Sequence, residues 1–428
     1  MSNLLPNDWE ITTLEKNSQL ITDGSHFSPI TSECGFPIAT VQNMADREIN
    51  VSSCRKISKM DFDNLVKGNC SPEYDDVLFS KDGTIGKTFV YKQKQKIVLL
   101  SSIAIIRLKK NQINPDYCTQ YLQSSLFYSQ LENAKSGSAI RRVVLKDIKQ
   151  LELPMPPLHE QQKIAAILTS VDDVIEKTQA QINKLKNLKT GMMQELLTRG
   201  VGVDGKPHTE FKDSPVGRIP KAWDVWTLDD MSEKRKPVLK TGPFGSSLKS
   251  SDFKEKGVPV INIQNLGVGK LETKNIYFVT NEKARELSGY SVSEGDLVFS
   301  RVADVGRSVV IPKEAIGWIM SSNLMRISTD KSKVDSKYLM YQLVNGPSVT
   351  LQLSQMVSDG GRQVVTGPTI KQLQFPIPSI TEQKMIVNKI DSIDYYLNEK
   401  VKKVAQLNAI KKALMQDLLT GKVRVNVE

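Results

Sequence analysis

Ile148-Lys-Gln-Leu-Glu-Leu-Pro-Met-Pro156 returns 222 residues later as Ile370-Lys-Gln-Leu-Gln-Phe-Pro-Ile-Pro378. Without a gap, the same shift pairs Glu160-Gln161 with Glu382-Gln383, Asp172 with Asp394, and Met193-Gln-Glu-Leu-Leu-Thr198 with Met415-Gln-Asp-Leu-Leu-Thr420. A period this long marks a duplicated architecture, so the chain is two copies of one plan.

Working outward, the segments before each stretch match more loosely. Pro6-Asn-Asp-Trp9 answers to Pro220-Lys-Ala-Trp223, and Asp76-Val-Leu-Phe-Ser80 to Asp296-Leu-Val-Phe-Ser300; Gly86-Lys87 answers to Gly306-Arg307. The segments after them are helical. Apolar residues step by sevens along Ile164, Val171, Leu185 and Met192, and along Leu168, Ile175, Ile182 and Leu196. The second copy repeats this as Ile386, Ile393, Leu407 and Leu414, with Ile390, Leu397, Val404 and Leu418. A 3.5-residue period held for about five heptads predicts a coiled-coil seam. Its polar interruptions coincide too: Thr178 with Lys400, and Lys189 with Lys411.

Pro154, Pro156 and Pro157 precede the first helix, and Pro376 and Pro378 the second, as entries that cannot be helical interior. Ser379 and Glu382 predict a capping box on the second. Gly200 and Gly421 stand where left-handed C-terminal caps are expected. Each helix should then hold about 38 residues and extend roughly 57 Å.

The domains expected are a globular unit over 1–147, a helical spacer over 148–200, a turn-rich linker over 201–219, a second globular unit over 220–369 and a second spacer over 370–428. Strand-like runs at Val77–Phe79, Ile97–Leu100, Ile103–Ile106, Val258–Ile261 and Leu297–Phe299, with one helix near Pro115–Ala134 and another near Ser336–Met356 broken at Gly346-Pro347, predict mixed α/β units. The fold class expected is α/β (mixed α+β), two homologous globular domains separated by two antiparallel coiled-coil helices in a pseudo-twofold repeat.

The 428 residues carry 58 Lys+Arg against 47 Asp+Glu, a formal charge of +11, which favours a polyanionic partner. No window is apolar enough to span a membrane, and the start lacks a signal peptide's basic and apolar regions, so the expected location is the cytoplasm. Cys34, Cys54, Cys70 and Cys118 form no C-x-x-C pair, and with three histidines in all no metal site is expected. Gly200-Val-Gly-Val-Asp-Gly205 matches a dinucleotide pattern but follows a helix instead of a strand, and Gly83-Thr-Ile-Gly-Lys-Thr88 has Lys81 where a P-loop needs its first glycine. No catalytic constellation is found.

Loops rich in Gly and basic residues fit DNA contact better, because arginine reads guanine edges, glutamine reads adenine, and lysine, serine and backbone N–H groups hold phosphates. The candidates are Ser80, Lys81, Thr84, Lys87, Arg141 and Arg142 in the first copy. In the second they are Lys240, Ser246, Lys249, Ser300, Arg301, Arg307, Arg362 and Gln363.

The paired Pro-x-Pro-x-x-x-Glu-Gln entries, the Leu-Leu-Thr exits and the order variable unit, helix, variable unit, helix together resemble the specificity subunits of type I restriction-modification systems. The resemblance covers essentially the whole chain. It implies two target-recognition domains, each reading half of a split double-stranded DNA sequence, with the helices as a ruler; a heptad added to both would lengthen the unread gap. It implies docking of two DNA adenine methyltransferase subunits and two ATP-dependent translocase-endonuclease subunits. S-adenosylmethionine, ATP and Mg2+ would be used by those partners, with no cofactor and no catalysis in this chain. The divergence of the two recognition units predicts an asymmetric target. A coiled-coil scaffold with two protein-binding heads, and a nuclease or methyltransferase with a divergent site, are the alternatives.

Overall fold

The computed structural model describes residues 5–134, 142–233, 237–267, 269–302, 307–356 and 365–426. Its contacts divide the chain into two compact units. Unit one joins Met1–Gln181 to Lys400–Glu428, and unit two is Ile182–Glu399.

In unit one, four antiparallel strands form the central sheet: β1 (Ser18–Asp23), β2 (Val77–Ser80), β3 (Thr88–Val90) and β4 (Ile103–Leu108), in the order β1-β4-β2-β3. Strand β2 is buried along its whole length, which explains its uninterrupted apolar run. Alternate side chains leave by opposite faces. Val77, Phe79, Ala104 and Ile106 pack with Tyr117 and Tyr121 of helix α1 (Pro115–Leu122), while Leu78, Ile103 and Ile105 pack with Ala39 and Leu99. Ala39 and Leu99 belong to a smaller mixed sheet in which Phe36–Ala39 lies between Arg55–Ile57 and Val98–Leu99. The unit is thus three layers: helix, four-stranded sheet, three-stranded sheet.

Unit two repeats the plan. Strands β5 (Leu239–Thr241), β6 (Leu297–Ser300), β7 (Ser308–Val310) and β8 (Leu324–Ile327) form a sheet ordered β5-β8-β6-β7. Leu297, Phe299, Met325 and Ile327 face Tyr338, and Val298, Val309 and Leu324 face Ile261 and Met320. Where one helix is expected near Pro115–Ala134, there are two, Pro115–Leu122 and Ser125–Ala134. The break falls at Gln123-Ser124, where the Ser124 hydroxyl bonds back to the Tyr121 carbonyl at 2.6 Å and competes with helix continuation. The break expected at Gly346-Pro347 is present, between Ser336–Asn345 and Pro347–Met356.

The long helices are α2 (Leu158–Thr198) and α3 (Ile380–Leu418). All sixteen apolar seam residues named from the sequence are buried or half-buried. In unit one the start of α2 meets the end of α3, with Ile164 and Leu168 packed among Met415, Leu418 and Leu419. In unit two the end of α2 meets the start of α3, with Met193, Leu196 and Leu197 beside Ile386, Val387 and Ile390. Within each unit the paired helix segments are therefore antiparallel. The lysines interrupting the apolar stripe fix the register: Lys411 Nζ lies 2.7 Å from Asp172 in unit one, and Lys189 Nζ 2.6 Å from Asp394 in unit two. These two pairs are repeats of each other. A charge inside a seam is tolerated only in the register that supplies its counter-ion, so each pair selects one alignment at some cost in stability.

The Glu-Gln entry motif holds each long helix onto its own unit. Gln161 accepts the Asn114 N–H at 2.9 Å and donates to the carbonyls of Gln112 and Pro156; Gln383 does the same with Asp335, Lys333 and Pro378. Glu160 and Glu382 each accept an indole N–H at 3.1 Å, from Trp9 and Trp223. The capping box expected at Ser379 is half formed. Ser379 accepts the Glu382 N–H at 3.3 Å, but the Glu382 carboxylate is occupied by Trp223, His208 and the N–H groups of Val201 and Gly202. Gly200 (φ 69°) and Gly421 (φ 70°) adopt the left-handed conformation, and a Cβ on either would collide, with Trp223 and Glu382 in one case and Pro6 in the other.

Candidate nucleic-acid interface

Asp76 and Asp296, which open the repeated Asp-x-x-Phe-Ser stretch, accept backbone N–H groups of the turns before them, from Glu73 and Ser293, at 2.7 Å each. Ser80 and Ser300, which close it, are fully buried. Ser80 donates to the Thr84 carbonyl at 2.5 Å and accepts the Lys87 N–H at 2.8 Å, stapling the hairpin after β2; Ser300 donates to the Val302 carbonyl at 2.5 Å. These two serines shape the loops from inside.

The next residue is the hub of each unit. The Lys81 backbone N–H donates to the Ser102 carbonyl at 3.0 Å, and its carbonyl accepts from Val143 at 2.9 Å. Arg301 makes the equivalent bonds, to Asn323 at 3.1 Å and from Val365 at 2.9 Å. Gly24 and Gly242 donate from adjacent strand ends to Ile103 and Leu324. At both glycines the neighbouring chain passes so close that a Cβ would lie 2.2 Å from the Leu99 carbonyl oxygen and 2.0 Å from that of Ser321. Three points of the chain thus meet at one sheet end in each unit: Lys81 or Arg301, Gly24 or Gly242, and Val143 or Val365.

The side chains at the two hubs differ. Lys81 is 2 % exposed, with Nζ 2.8 Å from Asp23, which also lies 3.2 Å from His26. At the position of Asp23, unit two has Thr241, and Arg301 keeps its Nε buried without a hydrogen-bond partner among the described residues. Arg142 pairs with Asp82 at 3.2 Å, Thr84 is exposed at the hairpin tip, and the Lys87 ammonium donates to the Met44 carbonyl. Ser246 and Lys249 are exposed on the loop after Gly242, and Arg307 is half-buried at the foot of its hairpin. Lys240 stands apart from this group, its ammonium 5.0 Å from the centre of the Tyr290 ring. Arg141, Arg362 and Gln363 lie outside the described residues.

The loop from Gly24 to Ser32 takes the same place in unit one but carries no signal in the sequence, because it lacks the lysines of its counterpart, Lys240–Lys249. The shared signal is a glycine followed within three residues by an exposed phenylalanine, Phe27 or Phe244. Among the described residues no group of three or more His, Cys, Asp or Glu side chains could hold a metal ion, and no helix is long and apolar enough to cross a membrane.

The family model for the type I restriction modification DNA specificity domain matches residues 28–187 and 220–410. A putative type I restriction enzyme MjaX specificity subunit from Methanocaldococcus jannaschii is 30% identical, with 98% of this chain and 95% of that protein covered. The type I restriction enzyme MjaVIII specificity subunit of the same organism is 30% identical over 82% of this chain and 79% of that protein. Among solved structures, the type I restriction-modification S subunit from M. genitalium matches with a TM-score of 0.56 at 14% identity, covering 98% of this chain and 97% of that one, which is a likeness of fold. The duplicated plan, the matched helices and these relatives agree, and the chain belongs to the type I restriction-modification DNA specificity family.

Proposed function

We propose that this chain reads a split, asymmetric double-stranded DNA sequence, one half with each unit, and brings methyltransferase and restriction subunits to it. The observation that carries this reading is the matched set of backbone bonds that brings Val143 to Lys81 and Val365 to Arg301, with Gly24 and Gly242 at the same sheet end in both units. A duplicated loop cluster with different side chains is what two readers of different half-sites require. Arg301 is the strongest base or phosphate contact, because Thr241 stands where Asp23 pairs with Lys81 and the arginine Nε has no acceptor among the described residues. Lys81, already neutralised, orders its loop cluster.

The chain supplies recognition and no chemistry of its own. S-adenosylmethionine, ATP and Mg2+ belong to its partners, two DNA methyltransferase and two translocase-endonuclease subunits. The methyltransferase surface in this reading includes exposed apolar residues of the long helices, Val174 and Ile410 in unit one, and their repeat counterparts Tyr396 and Leu188 in unit two. One patch per unit suits a partner bound in two copies.

The test is modified-base sequencing of DNA from cells expressing the chain with its neighbouring methyltransferase, against cells lacking the chain. A methylated motif of two different half-sites around an unread gap is expected. Arg301→Ala should weaken methylation about tenfold to a hundredfold through the half read by unit two. Methylation that is the same without this chain would overturn the proposal, as would loss of DNA affinity by neither variant nor deletion.

A further inference from the structure

Phe27 and Phe244 are 66% and 77% exposed, and Ile30, on the same loop as Phe27, is 87% exposed. Single exposed apolar side chains are ordinary on protein surfaces, and either phenylalanine alone would carry no argument. Their placement does. Each stands on the loop that leaves the outer strand of the four-stranded sheet, just past Gly24 or Gly242, and those glycines bond to Ile103 and Leu324, next in sequence to the Ser102 and Asn323 carbonyls that accept from Lys81 and Arg301.

Neither ring is at the tip of a slack loop. The Phe27 N–H donates to Ser25 Oγ at 3.1 Å, and that hydroxyl donates to the Phe27 carbonyl at 2.7 Å. The Arg55 guanidinium donates to the Pro29 carbonyl and the Ser28 hydroxyl, both at 2.6 Å, and Pro29 is buried. In unit two Pro243 is buried, the Ser247 N–H donates to the Phe244 carbonyl at 2.8 Å, and Leu248 packs against the cluster of Val260, Val279 and Leu287. The backbone is fixed to the core in both units while the ring is held out in water. Ordering a loop in order to expose an apolar ring is unfavourable unless the ring finds its surface in a complex.

Resting on the reading of the chain as a DNA-recognition protein, we infer that Phe27 and Phe244 are apolar wedges, each pressing into a base step of its own half-site and partly unstacking it. Phenylalanine, isoleucine and proline are the side chains that do this where proteins kink a duplex, and the cost of unstacking depends on the step. Each wedge therefore contributes specificity without hydrogen-bonding a base. Exposed Ser246 and Lys249 follow Phe244 on the unit-two loop and in this reading hold the flanking phosphates.

The test uses the full chain with its methyltransferase on duplexes carrying the sequenced target, with 2-aminopurine placed in turn at each adenine of each half-site. A fluorescence rise on binding is expected at one step per half-site. Phe244→Ala should abolish the rise in the half read by unit two and weaken binding about tenfold to a hundredfold, while Phe27→Ala does so in the other half. Phe244→Leu should retain most of both effects, and unfolding temperatures should not change. Unchanged fluorescence in both alanine variants would overturn the wedge, as would losses reproduced by replacing thymine with uracil, which would make the rings readers of thymine methyl groups. If the wild-type complex shows no preference for any sequence, it is the recognition reading that fails, and that outcome is distinct.

Discussion

Glu160 in unit one and Glu382 in unit two begin the same motif and are buried alike, at 1% and 3% exposure, yet their partners differ. Glu382 gathers Trp223, His208 and two backbone N–H groups from the segment after α2. Glu160 gathers Trp9 and Arg424 from the segment after α3, and Arg424 also forms a two-bond pair with Asp8 at 2.8 Å. In both units the segment leaving one long helix closes over the start of the other. The duplication preserved the carboxylate and the tryptophan, and left the remaining donors free to change so long as a buried carboxylate was satisfied.

The comparison can be broken most severely at Glu382. Glu382→Ala orphans three buried donors and removes the partner of His208, and should destabilise unit two by about 3–5 kcal/mol, whereas Glu160→Ala, which leaves Arg424 its bonds to Asp8, should cost unit one about 2–3 kcal/mol. Denaturant unfolding followed through Trp223 and Trp9 fluorescence measures the two; equal losses would show that the partners do not matter.

The hubs give the next largest effect. Asp23→Ala leaves the buried Lys81 ammonium only the more distant Asp82 carboxylate, 4.0 Å away, and should cost about 2–4 kcal/mol. Thr241→Asp should do the reverse in unit two: little change in stability, with about tenfold weaker methylation through that unit's half-site as Arg301 is neutralised. A stable Asp23→Ala variant would sink the distinction between a structural and a reading cation.

Lys189→Ala and Lys411→Ala, at repeat-related positions of the seam, should each cost about 1–2 kcal/mol, less than at the hubs because their pairs with Asp394 and Asp172 are partly open to water. Swapping charges within one pair, Lys189→Asp with Asp394→Lys, should restore most of the loss if register selection is the pair's role. Failure of the swap alongside recovery with an apolar pair would point to packing alone.

The smallest difference lies in acid. The Arg424 guanidinium holds the Asp8 carboxyl below its ordinary value. A lowered carboxylate adds stability above its unfolded value and loses it as pH falls through the lowered one, so the unit-one clasp should loosen below about pH 4. Trp9 fluorescence against pH checks this, and Arg424→Gln should move the transition upward.

Much of this was readable before any coordinates. The heptad steps from Ile164 to Leu196 and from Ile386 to Leu418 named the buried stripe, because burial along a helix recurs with the period of its turns whatever the partner is. The apolar runs Val77–Phe79 and Leu297–Phe299 named the central strands for a similar reason. The helix break at Gln123-Ser124 was missed because it carries neither glycine nor proline. The loop Gly24–Ser32 was missed because its distinguishing feature is a ring held in water, which depends on Arg55 and Ser25.

The sequence by itself determined the duplication, the long seam and the family, since these are periodicities and matched spacings written along one dimension. Only the tertiary structure decided that Lys189 answers Asp394 and Lys411 answers Asp172, that Arg424 satisfies Glu160, and that Asp23 pairs with Lys81 while the Arg301 Nε is buried with no partner among the described residues. Those facts join residues up to hundreds of positions apart, and their energies exist only where folding removes water from both partners at once.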